Sequence, residues 1–173
     1  MILVDVNVLV YAHRRDAPEH ARYRGWLENT VNAERAYGMS DLVLSGFLRI
    51  VTHSRIFQEP TPPAAALAFA SEVRDRPNCV SLTPGPRHWE IFTGLVPQSG
   101  AKGNLVPDAY LAALAIESGS HFITTDRDFA RFPGLRWRHP FEEAPEYRSH
   151  HREVASSAEL RAAGHGALAS KRY

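Results

Sequence analysis

The chain has almost no cysteine and almost no lysine. Cys79 is the single cysteine among 173 residues. That excludes an intramolecular disulfide framework and a cysteine-rich zinc site, and it fits a reducing cytoplasm. Lys102 and Lys171 are the two lysines, so the 20 basic residues are nearly all arginine. Arginine suits bidentate contacts to phosphate, although ordinary surface ion pairs use it as readily. The net charge is +1, so bulk charge selects no partner.

No segment approaches the ~20 apolar residues of a membrane span. MILVDVNVLVYAH carries Asp5 early and has no basic leader, so it reads as the first strand of a cytoplasmic protein rather than a signal peptide. HExxH and other zinc spacings are missing, as are the Walker GxxxxGK[ST] and GxGxxG patterns. These absences disfavour zinc hydrolases and nucleoside-triphosphate or dinucleotide sites. Among nine histidines, His13 and His88 are open to a general-base role, but without ligand spacing both are expected to be surface or half-buried. Trp89 and Trp137 are expected in the core or at its margin, with base stacking the lesser reading.

What is present is an ordinary globular balance, 44% apolar and 23% charged, enough for one domain with a core. Ile2 to Val4 form a β-branched strand, and Val8, Leu9, Tyr11 and Ala12 space a short helix. Pro18 is expected to open a second helix through Val31. Tyr37 to Ser40 suit a strand, and Ser40 or Asp41 a cap for a helix with Leu44, Phe47, Leu48 and Val51 on one face. A helix over Ala64 to Val73 follows a proline cluster, and Cys79 to Leu82 make the next strand. A helix lies around Trp89 to Phe92, a flexible loop from Gln98 to Asn104, and a helix from Pro107 to a C-cap at Gly119. Strands are expected at Phe122 to Thr124 and Leu135 to Trp137. Strands alternating with helices predict an α/β fold with a mostly parallel sheet covered on both faces. Residues 142–173 are poor in large apolar groups (Val154, Leu160 and Leu168). They read as an appended tail in which Arg152 to Ala163 can form a helix.

Three aspartates mark junctions in this pattern: Asp5 in MILVDVNVLVYA, Asp108 in NLVPDAYLAALA and Asp126 in HFITTDRDFARF. Each alone has a plain explanation, because aspartate caps helices and favours their first turn. Together they fall where strands end and helices begin, the edge at which α/β sheets gather their sites. Several carboxylates meeting there cannot all stay ionised without a cation, which points to a hard divalent metal, Mg²⁺ or Mn²⁺, and to phosphoryl chemistry.

The segments ILVDVNVLVYA, NLVPDAYLAALAIESG and FITTDRDFARFPGLRW, in this order, resemble the PIN-domain nucleases, and more narrowly the VapC-type toxins of bacterial toxin–antitoxin pairs. The resemblance covers residues 1–141. It implies a three-layer α/β/α sandwich and an endoribonuclease that hydrolyses RNA, transfer or ribosomal, with a metal-activated water. It implies Asp5, Asp108 and Asp126 as metal-site acids, Asp128 as a less regular additional acid, and Asn7 and Thr125 as polar groups behind them. Lys102, Asn104, Arg127 and Arg131 flank the acids and are candidates for holding the RNA backbone. A homodimer and a small antitoxin partner are also implied, with Val8, Leu9, Tyr11, Phe47 and Phe57 as apolar positions for the antitoxin.

One departure stands out. The family usually has a glutamate on the helix after the second strand, and the aligned position in SDLVLSGFLRIVT is Gly46. Asp41, five residues earlier, is about 140° away around a helix and is no obvious substitute. The reading left beside the nuclease is a catalytically silent RNA- or partner-binding module, and the three intact acids favour the nuclease. A haloacid-dehalogenase-like phosphohydrolase would need an acid where Asn7 stands. A receiver domain would need a mid-chain phosphate-accepting aspartate and a late lysine, neither of which is evident.

Overall fold

The computed structural model describes residues 1–142. Strand β1 (Ile2–Val4) buries Leu3 and Val4 completely, as a strand covered on both faces must. Tyr37–Met39 (β2), Cys79–Ser81 (β3), His121–Ile123 (β4) and Trp137–Arg138 (β5) join it in one sheet of order β3-β2-β1-β4-β5, with every pair parallel. The helices are α1 (Val6–His13), α2 (His20–Val31), α3 (Asp41–Val51), α4 (Pro63–Arg74), α5 (His88–Ser99) and α6 (Leu105–Glu117). Helices α1 to α4 pack on one another and α5 pairs with α6, giving the expected α/β/α sandwich. Met1–Pro140 is one compact unit; of a second, Phe141–Tyr173, only Phe141 and Glu142 are described. Apart from Glu142, the expected tail at 142–173 and its helix therefore lie outside the described residues. No described helix is long and apolar enough to cross a membrane.

Several boundaries differ from expectation for identifiable reasons. Helix α2 opens at His20 rather than Pro18, because Glu19 takes a left-handed conformation with φ 54°. Of the two expected caps for α3, Ser40 is the one used, its hydroxyl oxygen accepting from the Leu42 N–H at 3.3 Å. Helix α5 continues through Pro97, and its left-handed cap is Gly100 at φ 65°. Helix α6 opens at Leu105, which puts Pro107 in the first turn, where its missing N–H has no partner to lose. Strand β4 lies one residue earlier than expected and β5 is shifted to Trp137–Arg138, its pairing fixed by β4.

The strand order reverses at β1. The chain lays β2 and β3 on one side of it and returns to place β4 and β5 on the other. Ligand crevices of open α/β sheets form at such a switch point. The β1–β4 register, Ile2↔His121, Leu3↔Phe122 and Val4↔Ile123, brings residues more than a hundred positions apart to one edge.

Gly38, at the centre of β2, is required by crowding. A Cβ there would run into the Leu82 side chain and lie 3.2 Å from the Ile2 carbonyl oxygen. Gly38→Val is expected to cost about 1–3 kcal/mol, the usual range for overpacking. Urea unfolding monitored by circular dichroism checks this.

Candidate active site

Asp5 follows β1 directly and is only 4% exposed. It caps α1, with Oδ1 accepting from the Val6 N–H at 2.7 Å. The β1–β4 register sets Thr124 opposite, and its hydroxyl donates to Asp5 Oδ2 at 2.7 Å. The same hydroxyl oxygen accepts from the Asp126 N–H at 3.0 Å. Asp126 in turn caps the one-turn 3-10 helix Arg127–Arg131, its Oδ1 accepting from the Asp128 N–H at 2.8 Å. Asp108 arrives from a third element, the first turn of α6, and is half-buried.

The three acids feel one another's charge. Burial lifts the Asp5 carboxyl from 3.8 to about 6, opposed by the Thr124 and Val6 hydrogen bonds and assisted by the negative charge of Asp108 and Asp126. Burial also lifts Asp108 to about 6, helped by Asp126 and Asp128, while Arg131 pulls the other way. Carboxylates raised in this manner are short of positive charge, and a hard divalent cation with oxygen ligands supplies it. Among the described residues, however, no three His, Cys, Asp or Glu side chains already stand as a metal-ligand set. The donors fit a hard divalent cation by charge and type.

Other expected positions fall in different places. Thr124, not Thr125, is the hydroxyl behind Asp5; Thr125 and Asn7 are half-buried beside the acids. Only the strand pairing reveals Thr124, because adjacent threonines look alike until the register says which one faces β1. Asp128 is exposed and paired to Arg131 at 3.2 Å. Lys102, Asn104 and Arg127 are exposed on segments leading to Asp108 and from Asp126. His88 is buried at 2% exposure rather than at the surface, its ring nitrogen 3.1 Å from the Tyr110 carbonyl oxygen. Trp89 is 67% exposed, not in the core. It begins α5 close to Glu117, which accepts from the Gly85 and Arg87 N–H groups at 2.8 Å each. Glu117 lies nine residues beyond Asp108 on α6, roughly 13 Å along the axis, so Trp89 does not border the acids. Val8, Leu9 and Phe47 are fully buried and cannot serve a partner; Tyr11 and Phe57 remain partly exposed.

Gly46 faces the start of α1. A Cβ there would lie 3.0 Å from Val6 Cγ2, so Val6 crowds the space into which an acid at this position would grow. Gly46→Glu alone is expected to lower stability by about 1 kcal/mol, with Val6→Ala in the same chain relieving it. Thermal unfolding of the single and double variants measures the coupling.

The PIN domain pattern matches residues 2–135. The chain belongs to the PIN-domain family. Within it, VapC ribonuclease Mb2897 of Mycobacterium bovis is 49% identical over 142 residues, 82% of this chain and 97% of that protein. Ribonuclease VapC25 of Mycobacterium tuberculosis is 41% identical over 140 residues, 81% and 99% of the two chains. Among solved structures, VapBC2 from Rickettsia felis bound to a promoter DNA fragment superposes with TM-score 0.56 at 20% identity, covering 80% of this chain and 98% of that one. Mycobacterium tuberculosis VapC20, a sarcin-ricin loop cleaving toxin, gives 0.55 at 18% identity, covering 79% and 99%. The structural likenesses support the PIN fold, and the sequence identities place the chain among VapC-type members.

Proposed function

We propose that this PIN domain is a magnesium-dependent endoribonuclease, the toxin of a toxin–antitoxin pair, with Asp5, Asp108 and Asp126 as its metal-site acids. The observation that supports the reading is the Thr124 hydroxyl, which joins the Asp5 carboxylate to the Asp126 N–H beside the β1/β4 switch point, with Asp5 and Asp108 both lifted to about 6. Kinship with proteins named VapC ribonucleases supports the choice of RNA as substrate.

Bound among these acids, Mg²⁺ would supply the Lewis acidity that lets water hydrolyse a phosphodiester; Mn²⁺ is the expected substitute. The protein's own contribution is orientation. Thr124 fixes the Asp5 carboxylate and, through the Asp126 N–H, the start of the turn that carries Asp126. Burial of Asp5 keeps bulk water from competing for its oxygens. No serine, histidine or cysteine nucleophile is needed. An antitoxin that blocks the site and a homodimer complete the proposal; VapBC assemblies among the structural neighbours motivate the first.

Induced expression in a bacterial host tests the proposal as a whole. Wild type is expected to arrest growth within a few generations and Asp5→Asn to leave growth normal at equal protein level. Growth unaffected by soluble wild type would favour the silent module, with Gly46 as its structural cause.

A further inference from the structure

Resting on the nuclease reading, a second inference concerns Asp128 and Arg131. The 3-10 turn that carries them is fastened to the core from beneath. Phe129 is 2% and Phe132 3% exposed, and the Phe129 ring lies 4.5 Å from Phe122 of β4 and 5.6 Å from Phe132. On this base the Arg131 guanidinium is held at two points by one residue: Nε donates to the Asp128 carbonyl oxygen at 3.1 Å and Nη2 to Asp128 Oδ1 at 3.2 Å. Nη1 has no protein partner among the described residues. The Asp128 carboxylate is 61% exposed and forms an ion pair with Arg131. Arg131 also stands close enough to the cluster for its charge to act on Asp108.

We propose that Arg131 is a phosphate-contact residue for the RNA backbone beside the scissile bond, and that Asp128 is its positioning residue rather than a metal ligand. A guanidinium with two donors occupied and one nitrogen free is pre-oriented for a phosphate oxygen, and planar fork geometry suits that role better than an ammonium. The acids repel a polyanion, so a cation fixed at their edge sets where the chain of phosphates runs. Among the described residues, Lys102, Asn104 and Arg127 have no comparable side-chain tether.

The test is steady-state cleavage of a single-stranded RNA oligonucleotide by full-length protein in Mg²⁺ over a series of KCl concentrations, with Mn²⁺ titration of the same proteins by calorimetry. Arg131→Ala is expected to raise KM roughly tenfold or more, the scale of a lost hydrogen bond to a charged group, with a smaller change in kcat. Its plot of log KM against log salt should be shallower by about 0.7, one phosphate contact on a single strand. Arg131→Lys should restore the salt slope but only part of KM. Asp128→Asn should raise KM while keeping Mn²⁺ affinity within about twofold of wild type, whereas Asp126→Asn loses it. Loss of Mn²⁺ binding in Asp128→Asn would overturn the tether, and wild-type KM and salt slope in Arg131→Ala would overturn the phosphate contact. A wild type that neither cleaves nor binds Mn²⁺ would instead bring down the nuclease reading, and this inference with it.

Discussion

Asp108→Asn is expected to slow RNA cleavage by roughly 10³-fold, the scale seen when one charge-stabilising group leaves a catalytic centre, while making the metal-free protein more stable. The second effect follows from the sign of the shift. Burial and neighbouring acids raise Asp108 from 3.8 to about 6 in the fold. A raised carboxyl favours the folded state in its protonated form. That contribution is complete below the unfolded value and is lost as pH rises through about 6. At pH 7.5 the metal-free fold therefore bears the full cost of holding ionised acids together. For a half-exposed group screening leaves about 1 kcal/mol of it, a few degrees in Tm. Scanning calorimetry in EDTA at pH 5 and pH 7.5 should show a smaller gap between the two pH values in Asp108→Asn than in wild type. A variant less stable than wild type at pH 7.5 would contradict the electrostatic account. One substitution thus separates a catalytic acid from a structural cap, whose loss would cost stability.

Phe129→Ala carries the largest expected stability effect among residues near the site. Its ring fills the space between Phe122 and Phe132 beneath the turn that bears Asp126 and Asp128. Truncation removes buried apolar surface and leaves a cavity, a loss of about 3–5 kcal/mol. For a domain of this size that lowers Tm by about 10 °C or more. Cleavage should fall as well at temperatures where the protein is still folded, because Asp126 loses its foundation. Thermal unfolding and activity at 20 °C measure the two consequences separately. A Tm within about 2 °C of wild type would show that the turn is not fastened through this ring.

The parts of the fold that the sequence displays are those dictated by local pattern. Ile2 to Val4 read as a buried strand because all three are apolar and two are β-branched or isoleucine-like in shape, and Asp5 reads as a junction because it interrupts them. Gly119 ends α6 because its φ of 64° suits glycine. What stays hidden depends on pairing between distant segments. Thr124 rather than Thr125 supports Asp5 because of the β1–β4 register. His88 is buried because the α5–α6 pairing brings its ring to the Tyr110 carbonyl, and Trp89, one residue on, turns outward. The three acids themselves are visible as separate junctions, and the approach of Asp5 to the Asp126 turn follows from a strand order no local signal encodes. The crowding of position 46 by Val6 is likewise a contact between helices, not a feature of either segment alone.

The most direct test of the central claim is cleavage of purified transfer and ribosomal RNA by the wild-type protein in Mg²⁺ and in EDTA, with the product ends identified. Cutting is expected in Mg²⁺, none in EDTA, recovery with Mn²⁺, and products bearing 5′-phosphate ends, as hydrolysis by water without participation of the 2′-hydroxyl requires. Cutting that persists in EDTA, or products carrying 2′,3′-cyclic phosphates, would contradict it.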